Sequence, residues 1–208
     1  MAESDTITRN AKSNLAFTLM DLPEQTRIHM AQFYAFCRIV DDIVDEPGMT
    51  PEERHAALDR WADIVTNRAE PSPGIEHEVH SMVQELQLDT APMLELIAGC
   101  RGDIDPVQPR TREELLAYAY KVAACVGITS ATVMGASPAA RDYAVALGYA
   151  LQLVNILRDI AEDCRKYNRF YLPADDMALF GVTHEDIREQ RYSYRMRQLL
   201  AYEAALAE

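Results

Sequence analysis

Gly148-Tyr149-Ala150-Leu151-Gln152-Leu153-Val154-Asn155-Ile156-Leu157-Arg158-Asp159-Ile160-Ala161-Glu162-Asp163 is the stretch on which the reading of this chain turns. At 100° per residue, Gln152, Asn155, Asp159 and Asp163 fall within about 80° of arc on one helix face. Leu153, Ile156, Leu157 and Ile160 surround that face with apolar surface. Buried amides and carboxylates are costly unless something partners them. A stripe of two amides and then two carboxylates in an apolar helix therefore asks for a ligand. The bland alternative is an ordinary wet face, and a second stripe upstream weighs against it.

That second stripe lies in Arg38-Ile39-Val40-Asp41-Asp42-Ile43-Val44-Asp45-Glu46. On a helix, Tyr34, Arg38, Asp41 and Asp45 share an arc of roughly 60°. Asp41 and Asp45 stand four residues apart, so their like charges repel and weaken the helix unless a cation lies between them. Alone, this run reads equally well as a solvated acidic helix end before Pro47-Gly48. Two such stripes in apolar helices favour a shared ligand.

Working outward, helix signals dominate and strand signals are nearly absent. Thr50-Pro51-Glu52-Glu53 and Thr111-Arg112-Glu113-Glu114 are capping boxes, the first with Pro at the opening helical position. Ser137-Pro138 and Thr183 with Asp186 mark two more starts. The punctuation predicts helices near 6–20, 24–46, 51–68, 75–88, 91–104, 112–135, 138–167 and 184–208. This is an all-α fold, a single helical bundle around a central cavity. Along the last predicted helix, Met196, Leu199, Leu200 and Ala204 form an apolar side that needs partners. His29, His77, His80 and His184 are isolated and read as surface residues, whereas Trp61 reads as core.

Composition narrows the function. The 208 residues are 49% hydrophobic, enough for a real core. A net charge of −13 argues against nucleic acid and against a polybasic membrane anchor. Cys37, Cys100, Cys125 and Cys164 make no CxxC pair or zinc spacing, and they read as buried thiols in a reducing cytoplasm. The opening MAESDTITRN lacks an apolar signal region. Leu115 to Ala136 is apolar but reads as a buried helix rather than a membrane span.

Hard oxygen ligands on two facing helices point to magnesium. Magnesium takes one or two carboxylates per ion and fills its remaining sites with water and substrate phosphate. Two such helices could hold a diphosphate through bridging ions and help it depart, leaving an allylic cation in a water-poor cavity.

The residues CRIVDDIVDE (37–46) and LGYALQLVNILRDIAEDCRKYNRFYLP (147–173) resemble the two signature regions of the squalene/phytoene synthases. Tyr118 to Gly127 is similar to that family's third recurring stretch. The resemblance runs from about residue 10 to 173. It implies an isoprenoid-synthase bundle and head-to-head condensation of two farnesyl or geranylgeranyl diphosphates through a cyclopropylcarbinyl diphosphate. The product would be of squalene or phytoene type, in carotenoid or hopanoid biosynthesis. By motif position, the resemblance assigns Asp41, Asp45, Asn155, Asp159 and Asp163 to magnesium. Tyr34, Arg38, Tyr118, Arg158 and Tyr171 take catalytic roles, and Ser13, Asn14, Tyr34, Arg38, Val122, Gln152, Arg158 and Arg169 meet substrate. Guanidinium forks suit phosphate oxygens. The implied partner is a prenyl diphosphate, with no nucleic acid; a homodimer and peripheral membrane contact for release of the lipid product are both compatible. NADPH is left open, because the second step can end in reduction, proton loss or water capture.

The sequence departs from the family in several places. Ala119 and Ala124 stand where Cys and Gly are common. Five residues, Cys164 to Asn168, separate Asp163 from Arg169 where four are usual, and Asn168 replaces a Gly. That is acceptable if the turn needs a left-handed residue. Family members continue for several more helices, so residues 1–208 are expected to be one C-terminally incomplete domain. Class I terpene cyclases and head-to-tail prenyltransferases are the nearest enzymatic alternative, and a catalytically inactive helical fragment is the non-enzymatic one.

Overall fold

A computed structural model describes residues 2–10 and 21–206. The described residues form helices and no strand. In chain order they are α1 (Glu3–Asn10), α2 (Glu24–Asp45), α3 (Pro51–Val65), α4 (Ile75–Glu85), α5 (Ala91–Gly102), α6 (Arg112–Ala119) and α7 (Cys125–Val133). A 3-10 turn (Pro138–Ala140) then leads into α8 (Arg141–Tyr167), followed by α9 (Ala174–Phe180), α10 (His184–Arg188) and α11 (Tyr194–Leu206).

Local chemistry sets most of these ends. Thr50 Oγ1 accepts from the Glu53 amide at 3.2 Å and Glu53 Oε2 accepts from the Thr50 amide at 2.8 Å, a complete capping box opening α3. Arg54 then reaches back to donate to the carbonyls of Val44 and Glu46, covering the end of α2. Asn168 does adopt the left-handed conformation (φ 53°, ψ 33°), where a short polar side chain can stand in for glycine. Its side-chain oxygen accepts from Arg188 at 2.9 Å, which pins the turn.

Two apolar clusters fill the bundle. One gathers Phe33, Phe36, Val40, Leu58, Trp61, Ile64, Val79, Met82, Met93 and Ile97 from α2 to α5. The other joins Leu115, Leu153, Ile156, Leu172, Met177, Met196 and Leu199 from the C-terminal half. Between α6 and α7 the chain forms a π-helical segment, Tyr120–Ala124, against which α5 and α8 pack closely. Glycine permits that approach: a Cβ on Gly148 would lie 2.6 Å from the Ala124 Cα, and one on Gly99 would lie 2.6 Å from Val122 Cγ1.

The structure corrects several expectations. The long helix predicted for 184–208 is broken: α10 ends at Arg188, Gln190 takes a positive φ of 52°, and α11 restarts beyond Ser193. Its apolar side is mostly covered: Met196 and Leu199 are buried in the second cluster and Leu200 packs against it, while Ala204 is exposed. Helix α9 was not anticipated; its seven residues are too few to display a period. The exposed apolar face lies instead on α8, where Tyr143, Leu147, Leu151 and Val154 are 44–72% exposed. His29, expected at the surface, is buried and hydrogen-bonds to Gln25 and Glu85. His184 stacks on Phe170 at 3.9 Å.

Two helical stretches, Arg112–Val133 and Pro138–Tyr167, are long and apolar enough to cross a membrane. Both pack against neighbouring helices and turn polar residues toward a cavity, although only 33% and 22% of their apolar windows is buried.

Candidate active site

The helical stripes converge on one hollow. A cavity of about 400 Å³ is lined by Tyr34, Arg38 and Asp41 from α2, Tyr118 and Val122 from the α6–π segment, and Gln152 and Asn155 from α8. Met30, Phe33, Leu96 and Val126 supply much of the apolar wall. Polar and apolar portions therefore meet in one space, as a ligand with a charged head and a hydrocarbon tail requires.

The carboxylates continue beyond the cavity lining. Asp45 stands one turn past Asp41 on α2, and Asp159 and Asp163 stand one and two turns past Asn155 on α8. Burial, then Asp45, pushes the Asp41 carboxyl up to about 6. Burial, then Asp159, pushes Asp163 up to about 6, and the charge of Asp45 contributes from the opposite helix. The two acidic helices thus feel each other. Asp41 is reached by solvent from the cavity, which softens its rise without reversing it.

Such mutual repulsion is what a bound cation would relieve. Among the described residues, no three His, Cys, Asp or Glu side chains close on a single point to form a metal site by themselves. Magnesium draws only one or two carboxylates from a protein and completes its shell with water and phosphate. Asp41 with Asp45 and Asp159 with Asp163, joined by Asn155, are the groups that could hold it.

The arginines differ in their engagement. Arg38 Nη2 lies 2.5 Å from Asp42 Oδ1, and its Nη1 lies 3.6 Å from Asp41. Arg158 forks onto the neighbouring Asp159 at 2.8 and 2.5 Å while remaining exposed. Arg169 is buried; it donates to Asp45 Oδ1 at 2.7 Å and to the Asp103 carbonyl at 3.0 Å. Its fork is therefore committed to protein groups, and it does not line the main cavity. Tyr171 stacks on Tyr118 with ring centroids 5.0 Å apart. Ser13 and Asn14 lie outside the described residues.

Sequence reading missed Asp103. It sits at the C-terminal end of α5, where the helix dipole disfavours an anion, and its side chain is only 10% exposed. It lines the cavity and accepts hydrogen bonds from Tyr118 Oη at 2.9 Å and Tyr171 Oη at 3.2 Å. The available signal was an acid at the wrong end of an apolar helix.

The squalene/phytoene synthase family profile matches residues 8–208. The chain is 35% identical to the chloroplastic phytoene synthase 3 of Zea mays over 95% of its own length and 48% of that protein. It is 34% identical to a phytoene synthase of Arthrospira platensis over 88% of its length and 63% of that protein. It thus spans about half to two thirds of the length of these relatives. A squalene synthase from Alicyclobacillus acidocaldarius superposes with a TM-score of 0.85 at 29% identity, covering 98% of this chain and 77% of that one. A dehydrosqualene synthase superposes with a TM-score of 0.84 at 27% identity, covering 98% and 71%.

Proposed function

This chain belongs to the squalene/phytoene synthase family, and from that premise we propose that its protein condenses two prenyl diphosphates head to head in isoprenoid biosynthesis. The observation that carries the reading is one cavity receiving polar stripes from α2 and α8 above an apolar wall. A diphosphate would rest against the stripes, and the prenyl chain would lie along Met30, Phe33, Leu96, Val122 and Val126. Phytoene, squalene and dehydrosqualene synthases among the similar proteins support this class of reaction.

In this reading Asp41, Asp45, Asn155, Asp159 and Asp163 would hold magnesium, whose chemistry there would be to neutralise charge on the leaving diphosphate. Arg158, now paired with the proposed metal ligand Asp159, would be free to turn toward phosphate oxygens, and Arg38, held by Asp42 at the cavity wall, would meet them from where it stands. Gln152 and Tyr34 fix the diphosphate end, and Ser13 and Asn14 are proposed to meet it as well. Loss of diphosphate from one substrate breaks its C1–O bond and leaves an allylic cation. The double bond of the second substrate attacks that cation, and loss of a proton closes a cyclopropylcarbinyl diphosphate. The faces of Tyr118 and Phe33 can stabilise positive charge, while the apolar wall excludes water.

The test is to incubate the protein with C15 and C20 prenyl diphosphates, with and without magnesium and with and without NADPH, and to identify the lipid. A C30 or C40 hydrocarbon or alcohol formed only with magnesium is expected. Cyclised monomers or head-to-tail products would overturn the reading in favour of a cyclase or chain-elongating enzyme. Calorimetry supplies a second arm: a non-hydrolysable prenyl thiodiphosphate should bind with magnesium and fail to bind in EDTA, and Asp159→Ala should abolish binding.

A further inference from the structure

The buried carboxylate of Asp103 is unexplained by folding. It lies at the end of α5 where the dipole is negative, it is nearly sealed from solvent, and it stands near other acids, Asp45 and Asp41. Arg169 offsets part of that cost, with Nε 3.9 Å from Asp103 Oδ1 and Nη2 on its backbone carbonyl. A neutral residue would be easier to bury. Sites where a local rule is broken are where function is expected to compensate.

Its hydrogen bonds show what the acid does. Tyr118 Oη lies 2.9 Å from Oδ2, Tyr171 Oη lies 3.2 Å from Oδ1, and the two hydroxyl oxygens lie 3.2 Å apart. Each phenol has one proton to donate, and an ionised carboxylate is a stronger acceptor than another phenol. Both protons therefore go to Asp103, one to each oxygen. The Tyr118 hydroxyl cannot then point its proton into the cavity that the residue lines. Its oxygen lone pairs are what remain to face that space.

We propose that Asp103 is a positioning residue for the condensation, which by taking the Tyr118 and Tyr171 hydroxyl protons turns the Tyr118 oxygen lone pairs toward the reacting allylic cation. The inference rests on the reading of the cavity as a condensing site. An oxygen held in this way places negative density beside developing positive charge without reorganising. A hydroxyl free to rotate would instead offer its proton and hold water, which captures the cation as prenyl alcohol. Burial pushes the Asp103 carboxyl up, Arg169 opposes that push and holds the side chain in place, and the stacked Tyr171 ring limits the swing of Tyr118.

The experiment joins a spectrum to a mutant cycle. The tyrosine Raman doublet, taken as wild type minus Tyr118→Phe, should report Tyr118 as a strong hydrogen-bond donor. In Asp103→Asn the amide can accept only one phenol proton, and the Tyr118 signal should shift toward an acceptor. Turnover of Asp103→Asn should fall by about 100-fold with KM unchanged, and its ratio of prenyl alcohol to condensed product should rise. In a Tyr118→Phe background the same change should cost no more than about twofold, because its route of action is already gone. If Asp103→Asn fails to fold, the wild-type difference spectrum still decides: a Tyr118 that is a strong donor supports the proposal, and one that is not overturns it. So does an additive cycle. Failure of the wild-type protein to condense any prenyl diphosphate would remove the underlying reading and the role with it, whereas additivity in a condensing enzyme removes only the role of Asp103.

Discussion

Arg169 Nη1 lies 2.7 Å from Asp45 Oδ1, joining residues 124 positions apart in the chain. The contact ties the acidic end of α2 to the turn that follows α8. The left-handed Asn168 makes it, by reversing the chain so that the next side chain points back between the helices. Because Arg169 also holds the Asp103 carbonyl, a single guanidinium fixes three parts of the site wall.

Arg169→Met should therefore destabilise the protein by about 3 kcal/mol or more, since removing one partner leaves buried acids uncompensated. Arg169→Lys should recover part of this, as one ammonium cannot reproduce the fork. Urea unfolding of the three proteins checks both statements. Equal midpoints for wild type and Arg169→Met would show that the acids relax into solvent at no cost.

Gly148→Ala tests the close approach of α8 to the π-helical segment. The added Cβ meets Ala124 backbone atoms at 2.6 and 2.8 Å, and backbone cannot move aside as a flexible side chain would. A loss of about 1–3 kcal/mol is expected. Because Gln152 and Asn155 lie one and two turns further along, affinity for a prenyl thiodiphosphate should fall as well. Gly102→Ala is the control, as nothing lies within 4 Å of its added Cβ.

Glu203 gives a pH dependence whose sign is fixed. It is buried on α11 beside Arg112 and Asp176, and burial raises its carboxyl from 4.5 to about 6. The folded protein therefore holds a proton that the unfolded chain releases between about pH 4.5 and 6. The corresponding stability is present below pH 4.5 and is lost as pH rises through 6, on the order of 2 kcal/mol in all. Stability of wild type minus that of Glu203→Gln should fall across this window. The subtraction cancels the carboxylates that do not touch Glu203, which leaves Asp176 as the one neighbour that shares in the difference. A difference independent of pH would show that Arg112 fully compensates the buried charge.

The exposed stripe of Tyr143, Leu147, Leu151 and Val154 on α8 should drive self-association of the 208-residue chain. Sedimentation should show Leu151→Glu with Val154→Glu to be less associated than wild type, with helical content preserved. An unchanged distribution would place any association elsewhere on the surface.

What the sequence by itself determined was what local geometry controls. A helix repeats every 3.6 residues wherever it occurs, so the stripe Gln152, Asn155, Asp159 and Asp163, and its counterpart Tyr34, Arg38, Asp41 and Asp45, could be placed on single faces without knowing the fold. Capping chemistry is equally local, which is why Thr50 and Thr183 were legible, whereas the left-handed Asn168 was suggested only by the Gly usual at that place in the resembling family. Only the tertiary structure decided which groups those faces meet. Nothing near Asp103 in the chain announces Tyr118 or Tyr171, and nothing near Arg169 announces Asp45. Nor did the apolar residues of 184–208 reveal that a break near Gln190 lets Met196 and Leu199 turn inward, leaving the outer face of α8 exposed instead. The physical reason is that burial and charge pairing depend on distances through space, and those are set by the packing of helices far apart in sequence.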